Sequence, residues 1–333
     1  MKAVLCKRFG PPSTLVVEDT APLRPGPGQV VAAVHAAAAN FPDTLITEDK
    51  YQFKPALPFS PGGEVAGTVQ AVGAGVQGWQ PGDRVIAVCG WGGFAEEVLT
   101  TPDKLIGLPE GIAFDAASAL VITYGTTHYA LQVRARLQPG ETLLVLGAAG
   151  GTGLSAVEIG KLMGARVIAA ASSDEKLALC REHGADETIN YAREDLREAL
   201  KRLTGGRGVD VVYDPVGGAY TEPALRSMAW EGRLLVIGFT AGTIPRPPLN
   251  LALLKGCSIV GVFYGGFQAR EPQRSAALMK ELLGWLREGR IRPRISERLR
   301  LEQAAQALEA IAARRAQGKI VLTTELGRAC GLA

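Results

Sequence analysis

The sequence predicts an α/β protein of two domains: a doubly wound parallel sheet, and a second, β-rich domain of barrel-like character. Three observations predict it. Residues 1 to about 122 carry short apolar or alternating runs, VVAAVHAA, GEVAGTVQAVG and DRVIAV, separated by the turn clusters PGPG, SPGG and QPGD. From about residue 123 apolar strand patterns alternate with helical ones. Residues 143–176, LLVLGAAGGTGLSAVEIGKLMGARVIAAASSDEK, read as strand, glycine turn, helix and second strand.

The strands of the second half are TLLVLG, ARVIAAA, ETIN, VDVVYD, RLLVIG and CSIVGVF. Their continuous apolar character suits a parallel sheet covered on both faces. The helices between them are GLSAVEIGKLMG, DEKLALCREHG, REDLREALKRLTG and YTEPALRSMAWEG, several ending at the glycine that a helix C-terminus favours. Six such strands make a Rossmann set. The elements after about 266 exceed it: the helix EPQRSAALMKELLGWLREG, the strand-like ISERLRL, a second helix and the strand KIVLTTE. They are assigned back to the first domain, giving 1–122 plus 266–333 for the β-rich domain and 123–265 for the nucleotide-binding one.

Bulk properties exclude several classes of function. A chain of 333 residues, 47% hydrophobic and 21% charged, can bury two ordinary cores. The net charge of +3 is dispersed, so neither nucleic acid nor a membrane surface is indicated as a partner. The N-terminal MKAVLCKRFG lacks a signal-peptide core, and no apolar run reaches the ~18 residues of a membrane span. Five scattered cysteines without a CxxC fit reduced thiols in a cytoplasmic protein.

The glycine turn carries the first chemistry. Gly147, Gly150, Gly151 and Gly153 lie between strand and helix. The backbone at Ala149, Gly150, Gly151, Thr152 and Gly153 can approach phosphate, and the helix N-terminus adds free N–H groups and partial positive charge. The second strand then ends in Ala171, where an acid would accept hydrogen bonds from an adenosine ribose. Ser172, Ser173 and Lys176 follow instead. Two hydroxyls and an ammonium suit a 2′-phosphate, so the expected cofactor is NADPH. A capping box from Ser172 to Glu175 is the plainer reading of the same residues and is compatible with it. Asp174 is the one adverse charge and is expected to point away.

At this point the chain resembles a zinc-free quinone oxidoreductase of the medium-chain dehydrogenase/reductase superfamily. The resemblance rests, in order, on NFPDTLITEDKYQFKPALPFSPGGEVAGTV, GWGGFAEEV, TYGTTHYAL, RLQPGETLLVLGAAGGTGLSAVEIGK, INY, VDVVYDPVGG, LLVIGF and GKIVL. It implies a GroES-like domain, a Rossmann domain and an active site in the cleft between them. Zinc-dependent relatives carry Cys where Asn40 stands and His where Gly63 stands, and a four-Cys lobe that is missing here. Neither a three-ligand nor a four-ligand set exists in this sequence, so no metal is expected. His35 is expected as a packed core imidazole, and His183 at a helix end as a partner of the dipole.

The resemblance also assigns residues. Asn40 is placed beside the nicotinamide ribose and substrate, where its amide could meet hydroxyls or a substrate oxygen; a helix cap is the structural alternative. Asp43 would orient a neighbour. Tyr51 would steady or protonate a developing oxygen. For the cofactor, Thr126 lies near the nicotinamide and Tyr191 near the adenosine phosphate edge. Gly238 and Phe239 end strand five, Val262, Phe263 and Tyr264 end strand six, and Lys319 reaches in from the C-terminal segment. Residues 258–264 form an edge strand, which in relatives pairs across a two-fold axis to make a homodimer.

The function these residues imply is hydride transfer from NADPH to a quinone or similar conjugated carbonyl. Such acceptors need no Lewis acid, unlike an alcohol forming an alkoxide. The same residues leave open an enoyl or acryloyl reductase, with a thioester among its substrates. They also leave open a nucleotide-binding protein without turnover, structural or RNA-associated, against which the near-neutral charge counts.

Overall fold

A computed structural model describes residues 1–332 and divides them into two compact units: Met1–Ile122 with the residues from Pro293 on, and Thr123–Arg292.

The second unit holds six parallel strands. In spatial order they are Glu187–Asn190, Arg166–Ala171, Thr142–Leu146, Val209–Asp214, Met228–Val236 and Ser258–Gly261. The order reverses direction beside Thr142–Leu146, the place at which open α/β sheets bind ligands. Each strand coincides with a run expected from the sequence. Leu144, Leu146, Ile168, Ile189, Val212 and Leu234 are buried in one apolar core under the flanking helices. The helix expected across YTEPALRSMAWEG stops at Arg226, because Met228 already pairs with Val209 in the sheet.

The return to the first unit falls later than expected. The helices Tyr264–Arg270 and Pro272–Arg287 belong to the second unit, and the first resumes at Pro293 rather than 266. Their side chains decide this. Phe267 stacks on Tyr129 with ring centroids 4.2 Å apart, and Trp285 lies 4.9 Å from the ring of His128. Glu281 sits 3.2 Å from His128 Nε2. An apolar helical stripe shows that a helix is buried but not which core buries it.

The first unit is built on one sheet, in the order Ile295–Arg300, Lys319–Thr323, Val30–Ala39, Glu64–Val72, Arg84–Val88 and Leu105–Gly107, with Glu97–Thr100 also pairing to Val30–Ala39. A separate two-stranded sheet joins Lys2–Leu5 to Val16–Asp19. The C-terminal strand Lys319–Thr323 runs antiparallel to Val30–Ala39, with Ile320 opposite Ala39. That register brings Lys319 to the end of the strand that delivers Asn40. His35 lies in this strand, packed on the Phe114 ring at 4.2 Å.

Gly153 sets how closely the first helix of the second unit approaches its turn. A Cβ there would lie 2.4 Å from the Gly147 carbonyl oxygen and 2.6 Å from Ala148 backbone atoms. Neither obstacle is a movable side chain. We expect Gly153→Ala to destabilise the protein by about 1–3 kcal/mol, the range for overpacking a tight contact, measured by urea unfolding.

Candidate active site

Two groups of residues carry chemistry, one in each unit. In the second unit the strand Thr142–Leu146 ends at Gly147, whose φ of +59° turns the chain, and Gly150 is the N-cap of the helix Gly151–Leu162. The first helical N–H groups, at Gly151, Thr152 and Gly153, open onto the turn with the positive end of the dipole. Ala149 completes it. Thr126 begins the short helix Thr126–His128 and is half-buried. Its neighbour Thr127 is fixed by hydroxyl contacts to Ser155 at 2.7 Å and Tyr213 at 2.8 Å.

After the strand Arg166–Ala171 comes an exposed polar corner. Lys176 Nζ donates to Ser172 Oγ at 3.4 Å. The helix cap is Ser173, which accepts from the Lys176 N–H, so the cap expected from Ser172 is displaced by one residue. This leaves Ser172 with the ammonium rather than the helix. Asp174 is directed elsewhere: its Oδ1 accepts from Asn190 Nδ2 at 2.7 Å, and its Oδ2 pairs with Arg193 at 2.5 Å. Arg193 and Asn190 were not foreseen. Tyr191 is anchored by its N–H to the Ala171 carbonyl, with its ring 4.4 Å from that of Tyr220. Two acids lie in the first turn of the helix capped by Ser173: Asp174, which is paired as above, and Glu175, which is hydrogen-bonded to the Ser173 side chain. The Ser172 hydroxyl, the Lys176 ammonium and the helix N-terminus can hold a phosphate group beside them.

Gly238 and Phe239 follow the strand Met228–Val236 at its carboxyl end, as expected. The sixth strand is shorter than expected and ends at Gly261. Val262 follows it, Phe263 is 49% exposed, and Tyr264 opens a helix with its ring buried against Gly125. His183 finds a specific partner rather than only a helix dipole: its Nδ1 is 2.8 Å from Glu158 Oε1.

In the first unit Asn40, Asp43 and Lys319 come together, around a residue the sequence reading passed over, Glu64. Asn40 stands at the N-cap of the helix Phe41–Thr47. Its N–H donates to Asp43 Oδ2 at 2.8 Å, so the carboxylate supplies the capping contact. Its side chain is turned away from the helix: Oδ1 accepts from Lys319 Nζ, and Nδ2 donates to Glu64 Oε1 at 3.0 Å and to the Ala38 carbonyl at 3.0 Å. Lys319 also reaches Glu64 Oε1 at 3.2 Å, and Glu64 Oε2 accepts the Ile122 N–H at 2.8 Å. Asp43 Oδ1 accepts from Gly62 N–H at 3.2 Å. Gly62 has φ +96°, and a Cβ there would meet the Phe94 ring at 2.5 Å. Lys319, grouped above with the cofactor contacts, is 4% exposed within this network. Glu64 could have been suspected, as the one acid in the apolar strand GEVAGTV.

Tyr51 lies half-buried against Cys6, Ile46 and Phe59, with Phe53 edge-on at 5.7 Å. Burial and the Asp43 charge both raise its phenol pKa, so it is a proton donor at neutral pH. Burial also raises Asp43 itself, from 3.8 to about 7, against the opposing pull of the Asn40 N–H and of Lys319. Among the described residues no group of three or more His, Cys, Asp or Glu could hold a metal ion, and no helix is long and apolar enough to cross a membrane.

A glycine-turn Rossmann sheet with a separate β-rich unit carrying buried polar residues defines a medium-chain dehydrogenase/reductase. Residues 26–110 match the family model for an alcohol dehydrogenase GroES-like domain, and residues 151–281 that for a zinc-binding dehydrogenase. The chain is 41% identical to quinone oxidoreductase-like protein 2 of Bos taurus, over 97% of this chain and 92% of the relative. It is 37% identical to the quinone oxidoreductase of Pseudomonas aeruginosa, over 96% and 99%. Among solved structures, Escherichia coli quinone oxidoreductase complexed with NADPH superposes with a TM-score of 0.91 at 30% identity, covering 97% of this chain and 100% of that one. The chain belongs to the quinone oxidoreductase family of this superfamily.

Asp43 generates a pH prediction. Its folded-state pKa is raised, so between pH 3.8 and about 7 the native chain holds a proton that the unfolded chain has released. The contribution of this group to stability therefore falls as pH rises through that window. We expect the stability advantage of the wild type over Asp43→Ala to be larger at about pH 5 than at about pH 8 in denaturant titrations; an advantage that grows with pH would contradict the raised value.

Proposed function

We propose that the protein is an NADPH-dependent reductase that delivers hydride to a quinone or similar conjugated carbonyl without a metal ion. The observation that carries the cofactor reading is the corner after the second Rossmann strand, where Lys176 and Ser172 stand together while Asp174 is engaged by Asn190 and Arg193. An anion placed there meets an ammonium and a hydroxyl, while of the two adjacent acids Asp174 is paired and Glu175 is hydrogen-bonded to the Ser173 side chain. The close approach of helix to turn at Gly153 leaves the turn free of side chains at the phosphates. When bound, NADPH supplies the hydride from its nicotinamide ring.

The chain's own residues supply the rest. Ala149 to Gly153 offer backbone N–H groups to the pyrophosphate, and Ser172, Ser173, Lys176 and Tyr191 form the adenosine end. Tyr51, held protonated, donates a hydrogen bond or a proton to the oxygen that gains charge as hydride arrives. The metal-free reading is supported by the donor set around Asn40. An amide and an ammonium stand there, and the ammonium already takes the carboxylate of Glu64. Relatives named quinone oxidoreductase support the acceptor class.

The assay follows NADPH absorbance with 1,4-benzoquinone, 9,10-phenanthrenequinone and crotonyl-type compounds. We expect oxidation with the quinones; oxidation with enoyl compounds alone would make the chain an enoyl reductase. Lys176→Ala is expected to weaken NADPH binding by about 1–3 kcal/mol, the size of a charge-assisted hydrogen bond, and to leave NADH unchanged. Equal losses for both cofactors, or no turnover with any acceptor, would overturn the reading.

We also infer a homodimer. Ser258–Gly261 is the last strand of its sheet, and Ile259, Leu253, Leu254 and Trp230 are exposed around it, at 40%, 79%, 69% and 72%. An unpaired edge flanked by apolar side chains is a surface that a second copy can cover. Light scattering at micromolar concentration is expected to give twice the chain mass, and a single-chain mass would reject the dimer.

A further inference from the structure

We propose that Glu64, acting with Lys319, is a positioning residue that makes Asn40 a one-way hydrogen-bond acceptor, so that the ligand group Asn40 takes is a hydroxyl and not a carbonyl oxygen. The proposal rests on the reductase reading above and on the expectation that Asn40 stands beside the nicotinamide ribose and substrate.

An asparagine amide has two N–H donors and an oxygen with two lone pairs. Both donors of Asn40 are occupied, one by the Ala38 carbonyl and one by Glu64 Oε1, each at 3.0 Å. The oxygen takes one donor, Lys319 Nζ, which leaves one lone pair. The opposite orientation of the amide would set its NH2 against the Lys319 ammonium and its oxygen against the Glu64 carboxylate. Glu64 is fully buried and Lys319 nearly so, with side-chain exposures of 0% and 5%, so water cannot relieve either contact. The orientation is therefore fixed by charge, where an isolated amide would be free to flip.

Glu64 is itself held on its second oxygen by the Ile122 N–H at 2.8 Å, so it cannot swing away from Asn40 without leaving that donor unpaired. The consequence for chemistry is directional. A quinone carbonyl offers only acceptors and has nothing to give Asn40. A hydroxyl does, whether on the sugar of the bound cofactor or on the reduced, phenolic product. Within the reductase, donation to the substrate oxygen must then come from another group, and Tyr51 is the protonated phenol in the same unit.

The chain contains three asparagines, Asn40, Asn190 and Asn250, so selective nitrogen-15 labelling of asparagine gives three side-chain amide pairs. Asn40→Leu identifies its own pair by loss. In the wild type the Asn40 pair is expected to exchange with solvent far more slowly than that of Asn250, which is exposed. Glu64→Gln should speed that exchange by roughly tenfold or more and lower the melting temperature, because it strands the Lys319 ammonium; Glu64→Gln with Lys319→Met, which leaves no unpaired charge, should speed the exchange as much. A wild-type Asn40 pair exchanging as fast as that of Asn250 would overturn the clamp without any variant.

Function is read by a double-mutant cycle between Glu64→Gln and Asn40→Leu, using NADPH fluorescence titration and inhibition by added hydroquinone. Glu64→Gln should weaken one of these about tenfold in the wild-type background and have no further effect beside Asn40→Leu. Loss in NADPH affinity identifies the sugar hydroxyl, and loss in hydroquinone inhibition alone identifies the product. Additive losses, or losses in Glu64→Gln that the doubly neutral Glu64→Gln, Lys319→Met variant does not share, would overturn the positioning role even if quinone turnover stands. A wild type that turns over no acceptor would instead defeat the functional reading, and the exchange measurement would still decide the clamp.

Discussion

A lysine ammonium buried between a carboxylate and a carboxamide is the interaction around which the β-rich unit is organised. Removing either charge alone would leave the other stranded in a dry interior, which is why such pairs strongly penalise partial loss even where their net contribution is small. Lys319 belongs to a strand near the C-terminus, and Asn40 and Glu64 to strands near the N-terminus. The ion pair therefore acts across some 255 residues of sequence, in the same place where Lys319–Thr323 zips antiparallel to Val30–Ala39. Sheet register and charge pairing reinforce each other. A slip of one residue would turn Lys319 to the other face of the sheet and leave Glu64 without its cation.

The Rossmann unit relies on a different economy. Its site is made mainly from backbone: a turn at Gly147, a helix start at Gly150, and a helix drawn so close at Gly153 that no side chain fits. Side chains enter only at the corner after the second strand, where the proposed selectivity between cofactors would rest on a few charges. Asp174 illustrates how the surroundings set the sign of that corner. Next to Lys176 in sequence terms, it would weaken an anion site if left free, yet Asn190 and Arg193 from the following strand and turn take up both its oxygens. The Arg193 pair is exposed, so its contribution to stability is small, but its effect on the local field does not depend on large stability.

Much of this could be read in the sequence, for identifiable reasons. Parallel strands buried on both faces leave continuous apolar runs, and all six were visible; the glycine turn was visible because its function requires glycine. What could not be read depended on partners distant in the chain. The helix 272–287 shows an apolar stripe, but only the contacts of Trp285 and Glu281 with His128 reveal that it packs on the nucleotide-binding unit. The capping residue after the second strand moved from Ser172 to Ser173, a one-residue difference that local composition does not resolve when two serines are adjacent. Glu64 was visible as a lone acid inside an apolar strand, but its partner was not, because Lys319 arrives from the other end of the chain.

The protonation of Asp43 follows from counting charges in the same network. Two carboxylates, Asp43 and Glu64, face one ammonium, so ionising both would bury an excess negative charge. Burial and the neighbouring Glu64 charge both push the Asp43 proton to be retained, while the N–H of Asn40, Lys319 and the N–H of Gly62 oppose them. With Asp43 protonated, the network is electrically balanced, one cation against one anion. Ionisation of Asp43 near neutral pH adds a negative charge that also disfavours loss of the Tyr51 proton. The phenol thus remains a donor on both sides of the Asp43 titration, the property that the role proposed for it beside an oxygen gaining charge requires.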